Sequence, residues 1–593
     1  MQQKQPNPHK TVSSFNSILL LLFFILSASA TAQIPAEFGD GASELRPLLE
    51  RFAEDQSNLE WTYNIPMSET DRSRMRRFFI AWQNSLKKIE FEKLTTDGRI
   101  DYILFKNLLD YELRSLDHEQ KSHEEIVSLI PFWITIVELE ENRRKMTTLN
   151  SSKVADRLHE LHQTIVNIHN SVKADLKEKG KSGSIGVTKI QAMGAAELIQ
   201  RLLRSLERWF DFYNGYDPIF TWWIEKPYQK VNKALIDYRA FLREKVVGID
   251  TEANDGPIIG EPIGREALVS ELEYAMIPYT PEELISIGEK EYAWCENEMI
   301  RASRELGYGE DWHAALEYVK SLHRAPGDQP HLIWELAWEA VEFLEKHDLI
   351  TIPPLARETW KIGMMSPERQ KINPFFTGGR IISVSFPTNT MAHEDKLMSM
   401  RGNNIHFARA TVHHELIPGH HLQFFMASRY KSYRRLFQTP FWLEGWPLHW
   451  EMLLWDLGFP KSPENKMGML FWRIHRCARI IFSLGFHLGK MTPEACIELL
   501  VEGVGHELAN ATAEVRRSFA GGYPPLYQCA YMIGGLQMRA LYHELVPTGK
   551  MTNREFHDAV LRENSIPIVM LRAKLIKQPL KKNFSADWRF MNN

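Results

Sequence analysis

Cysteine is scarce in this sequence, with four in 593 residues. Cys295, Cys477, Cys496 and Cys529 form no CxxC pair, which argues against a thiolate zinc site. A Cys477–Cys496 disulfide and buried free thiols are the two alternatives left. An excess of one charge is also missing: 71 Lys and Arg nearly balance 75 Asp and Glu, and no long run of one sign occurs. Without a basic footprint, no nucleic-acid partner is expected. Long apolar runs are absent too. The apolar stretch from Ile18 to Leu26 is too short to span a bilayer, so no stable membrane insertion is expected once the leader is cleaved.

That stretch follows Lys4 and Lys10 and precedes Ser-Ala-Ser-Ala-Thr-Ala, so residues 1–32 read as a signal peptide. Cleavage is expected before Gln33, with Ala28/Ala30 as the alternative site. No Cys follows either site, and a lipid-anchored mature form is not indicated. The protein is expected to be exported, to the periplasm or beyond.

Hydrophobic residues make up 44% of the chain and charged residues 25%, the balance of a folded globular protein. The 17 Trp, 18 Tyr and 31 Phe suit a large core. Length alone allows roughly two to four domains. The Gly- and Pro-rich stretch from Asp250 to Gly264 is the best junction, dividing an amino-terminal helical region (33–255) from a carboxy-terminal helical region (256–593). Gly180 to Gly186 has the look of a phosphate loop, but Asp175 stands where the upstream glycine is needed.

The punctuation is mostly helical. Thr280-Pro281-Glu282-Glu283 joins a capping Thr, a first-turn Pro and a Glu at the third position, and predicts a helix ending near Gly307. Thr492-Pro493-Glu494, and Thr552 with Glu555, repeat the signal. Only Gly379 to Pro387 alternates as a strand. The expected fold is therefore mainly α, with one small β-sheet.

The chemistry concentrates in His413-His414-Glu415-Leu416-Ile417-Pro418-Gly419-His420-His421. In the usual HExxH signature, histidines four apart share a helix face, hold one zinc ion, and leave the Glu to work on a water. Here Pro418-Gly419 is inserted and the histidines fall six and seven residues after His414. Pro removes a helical donor and Gly tolerates unusual dihedrals, so a break could swing His420 back to His414. His421 is the alternative ligand. Downstream, Glu444 is the expected third ligand and Glu451 the alternative. Two imidazoles, one carboxylate and an open position make a catalytic zinc arrangement, one ion per chain, in which Glu415 activates the zinc-bound water.

Two stretches carry a resemblance to a known family: His414-Glu415-Leu416-Ile417-Pro418-Gly419-His420-His421, and Glu444-Gly445-Trp446-Pro447-Leu448-His449. They resemble the HExxPGHH and EGWxLY motifs of the bacterial family called domain of unknown function 885. That family is similar to gluzincin-type zinc peptidases of the thimet oligopeptidase, dipeptidyl peptidase III and carboxypeptidase type, which implies a large, two-lobed helical fold with a deep cleft and the small β-sheet near the metal helix. The resemblance implies His414 and His420 as ligands, Glu415 as base, and Tyr531 as donor to the developing oxyanion. Arg517 and His487 also match family positions and are implied as binders of a substrate carboxylate or the oxyanion. The chain departs from the family at Pro447, Ser483 and Met532, where Ala, Asp and Lys are usual. The function expected is hydrolysis of peptide bonds in short peptides outside the cytoplasm. A zinc-retaining scaffold and a metallohydrolase of a non-peptide amide or ester are the other two readings.

Overall fold

A computed structural model describes residues 43–177, 186–249, 256–370, 375–520 and 522–591. The proposed leader, most of the 180–186 loop and residues 250–255 of the junction lie outside them. Helices dominate the described residues, and one two-stranded sheet accompanies them. The helical signals act where they were read. Thr280 and Glu283 form a reciprocal capping box. That helix runs Pro281–Glu305, and Gly307 follows it at φ +88°. Thr552 and Glu555 form another such box, and Thr492 caps the helix at Pro493–Glu498.

The alternating segment is a short strand, β2 (Ile381–Val384), paired in parallel with β1 (Lys361–Met364). Its inward residues, Ile382 and Val384, are fully buried and share a small core with Val412 and Leu416. The sheet thus lies against the helix that carries the first histidines.

Two larger cores hold the rest together. One is built within residues 65–247. The other joins residues 45–109 to residues 258–590, across the expected boundary at 255/256. From Ala42 onward the chain is one compact unit. Among the described residues, no helix is long and apolar enough to cross a membrane. All four cysteines are buried and free, so Cys477 and Cys496 are not joined. Their thiols instead donate to the carbonyls of Arg473 and Phe482.

A buried charge network fastens the early and late parts of the second core. Arg434, with no exposed surface, donates to Asp101 at 2.8 Å and also meets Asp97 and Glu563. Lys431 bridges the same Asp97 and Glu563 at 3.0 and 2.6 Å. Pairing makes such charges tolerable in the interior, whereas removing one partner strands the other. Arg434→Met is expected to lose about 3–5 kcal/mol of stability, read from urea unfolding, because Asp101 would stay buried without its counter-charge.

Candidate metal centre

Six helices build the site. The first histidine helix (Ile405–Glu415) is capped by Asn404, whose side chain accepts from the amides of His406 and Phe407. It stops at Glu415, where Leu416 leaves helical geometry at φ −109°, ψ −104°. The second histidine helix (His420–Ala427) starts after Gly419. The break is tight: the amide of Gly419 returns to the His413 carbonyl at 3.0 Å. A Cβ at position 419 would lie 1.7 Å from the His414 carbonyl oxygen, so only glycine fits. The result is the geometry that the spacing required. The rings of His414 and His420 meet nearly perpendicular, with centroids 5.1 Å apart.

His421 points elsewhere, its Nε2 lying 2.8 Å from the Ala356 carbonyl. His413 packs edge-on to Phe459, and burial takes its pKa down to about 3. Glu444, from the glutamate helix (Pro440–Asp456), completes the cluster. Its Oε2 stands 3.3 Å from His420 Nε2 and 3.6 Å from His414 Nε2. A tetrahedral ion with bonds of roughly 2.0–2.2 Å needs donors about 3.3–3.6 Å apart. Glu444 Oε2 is, moreover, a buried carboxylate oxygen with no hydrogen-bond partner, and such an atom is costly unless a cation meets it. His414, His420 and Glu444 fit one divalent ion.

The surrounding contacts aim these three side chains. Glu451, two turns beyond Glu444, lies 2.6 Å from His414 Nδ1, so it orients that imidazole from the side away from the cluster. His420 Nδ1 faces Gln423 Oε1 at 3.1 Å. Gln423 in turn donates to the carbonyls of Trp442 and Leu443 at 3.1 and 3.2 Å. Pro447, in the interior of the glutamate helix, has no N–H to give to Leu443 four residues back. The amide of Gln423 supplies a donor to that carbonyl. Pro447 therefore leaves Glu444 in the cluster, and the Gln423 contact ties the glutamate helix to the second histidine helix. The hydroxyl of Tyr527 donates to Glu444 Oε1.

Gln423→Ala should weaken metal binding by roughly 10–100-fold while leaving the three ligands in place. Competition with a chelator of known affinity measures this.

Charge is shared within the cluster. Burial acts to lower His414, but the adjacent Glu444 carboxylate, the bond to Glu451 and the charges of Glu451 and Glu415 outweigh it and raise the imidazole to about 9. His420 is raised in the same way, by Glu444. Glu444 is held well below the usual carboxylate range, because the two imidazoles overcome the effect of burial. Glu415 is raised, by burial first and by the charge of Glu444 in addition.

Glu415 is half-buried and lies beside Gly378, where a Cβ would come 2.1 Å from its Oε2. With the three ligands it lines a cavity of about 220 Å³. The remaining walls include Arg476 and Arg479 from the arginine helix (Pro463–His487), Arg517, and Tyr527 and Tyr531 from the tyrosine helix (Tyr527–Leu545). The Tyr531 ring runs nearly parallel to that of His414, 6.1 Å away. His487 lies outside this lining and packs edge-on to Phe519. Gln423, Tyr527 and Gly378 were not singled out from the sequence. A Gln three residues after His420, on the same helix face, was the one signal available for any of them.

The profile of a family described as bacterial proteins of unknown function (DUF885) matches residues 62–575. This chain belongs to that family. Solved structures similar to it include a protein from Shewanella oneidensis described as a candidate lipoprotein of unknown function. It is 18% identical with a TM-score of 0.66, over 90% of this chain and 100% of the other. Another, from Colwellia psychrerythraea and described as a candidate lipoprotein, is 16% identical with a TM-score of 0.56, over 90% and 97% of the two chains. At these identities the likeness is one of fold. A search of curated proteins finds no match.

Proposed function

We propose that this member of the DUF885 family is an exported zinc-dependent hydrolase that cleaves peptide bonds of short peptides. The observation that carries the reading is the convergence of His414, His420 and Glu444 Oε2, a buried oxygen without a hydrogen bond, beside Glu415 in one cavity. Two imidazoles and one carboxylate are a catalytic donor set, with three protein ligands and a position left over. A divalent ion held there supplies Lewis acidity and brings the pKa of water near 7.

The side chains divide the remaining work. Glu415 takes the proton of the attacking water on a carboxylate whose affinity for protons burial has already raised, and returns it to the leaving amine. Tyr527 holds Glu444 through Oε1 and keeps Oε2 for the ion. Tyr531, beside His414, donates to the developing oxyanion. The small cavity favours a chain end over a folded protein. Export is supported by the leader read in residues 1–32 and by the description of the two similar structures as candidate lipoproteins.

The test is elemental analysis of dialysed protein together with mass-spectrometric screening of a peptide library, repeated after chelation and after zinc is restored. One zinc per chain, with cleavage that disappears and returns with it, is the expected result. Protein that retains no metal even after zinc is added would sink the reading. Bound zinc with no cleavage of any peptide, amide or ester would favour a scaffold.

A further inference from the structure

We infer that Arg476 and Arg479 form a carboxylate subsite in the wall of the metal cavity, which makes the substrate a peptide recognised by a free carboxylate. The inference rests on the hydrolase reading for the peptide, but not for the anion. Both side chains line the cavity and are almost wholly buried, at 5% and 2% exposure. Their guanidinium carbons sit 4.7 and 4.4 Å from the centroid of the Tyr531 ring, so the two cations converge around one side chain.

Neither guanidinium is fully used by the protein. Arg479 engages Glu514 through Nε and Nη2 at 2.8 and 2.7 Å, and its Nη1 is buried with no hydrogen-bond partner. Arg476 has Glu451 3.6 Å away, but that carboxylate is committed to His414 Nδ1. Its Nε is buried without a partner as well. Interior N–H groups of a cation are seldom left unmet, and arginine's planar fork suits the two oxygens of a carboxylate. In a peptide that group is the chain terminus or an Asp or Glu side chain. A terminus bound here would hold the last peptide bonds beside His414 and Glu415 and direct cleavage to the carboxyl end.

Calorimetry on chelator-treated protein separates this from hydrolysis. The probes are trialanine as free acid, trialanine amide, and the amidated peptide Ala-Ala-Glu. Wild type should bind the acid about tenfold or more tightly than the amide. That ratio should collapse toward one in Arg476→Gln and Arg479→Gln, with circular dichroism reporting that the variants fold. Amidated Ala-Ala-Glu binding as tightly as the acid would support the subsite and name the side chain as its ligand. Equal affinity of acid and amide for wild type would overturn the inference, and this comparison decides alone if the variants fail to fold. A preference for the acid without any cleavage by zinc-loaded protein would keep the subsite and discard the hydrolase.

Discussion

Replacing His420 by Ala is expected to leave the purified protein without zinc after dialysis, while wild type retains one ion per chain. The change removes one of three donors, so the loss should exceed the roughly 10–100-fold expected of an outer partner such as Gln423. His421→Ala, one residue away, should keep the metal, because that imidazole is engaged with the Ala356 carbonyl. The opposite pattern would reverse the assignment of the two histidines. Uptake should also release protons. Without the ion, the carboxylates beside His414 raise it to about 9, so near pH 7 it carries a proton that an ion must displace, and Glu444 raises His420 as well. Affinity should therefore climb as pH rises toward 9 and fall in acid. Calorimetry in buffers of different ionisation enthalpy counts the protons.

Glu415→Gln is expected to keep the metal and lower kcat/KM by about 10²–10⁴-fold, the range for loss of a general acid–base. The amide matches the carboxylate in size, so the close approach of Gly378 is preserved and the effect reports proton transfer. Zinc analysis and peptide cleavage on the same preparation check both halves. Retained cleavage would remove Glu415 from the chemistry. Loss of the zinc along with the activity would instead make it part of the metal's support.

Much of this arrangement was legible in the order of residues because the determinants are local. A Thr, a Pro and a Glu start a helix wherever they stand in that order, and Thr280, Thr492 and Thr552 all do so. Pro418-Gly419 announced a break because its effect is confined to one turn, and the break brings His420 to His414. Glu444 was legible as a carboxylate on a following helix. What escaped depends on chain segments that meet only after folding. Tyr527 reaches Glu444 across 83 residues. Gly378 matters only because Glu415 happens to pack on it. Pro447 read only as a departure from the family's Ala three residues after Glu444, and Gln423, on another helix, is what accommodates it. The two cores likewise divide the amino-terminal region by packing, with no mark in its composition.

The contact between the glutamate and tyrosine helices has a wider consequence. Their backbones touch: a Cβ at Gly534 would lie 2.1 Å from the Phe441 carbonyl oxygen, and one at Gly445 would lie 2.5 Å from the Gly534 carbonyl carbon. Glu444 immediately precedes one of these glycines, and Tyr531 lies three residues before the other. With no side chain at the Gly445–Gly534 crossing to compress or re-pack, the gap separating Glu444 from the phenols has the stiffness of main chain against main chain. A methyl group added at 534 would act as a wedge, felt at the His414–His420–Glu444 cluster although no atom of it comes near. Position 534 thus belongs to the geometry of the candidate metal centre as much as any residue that touches it.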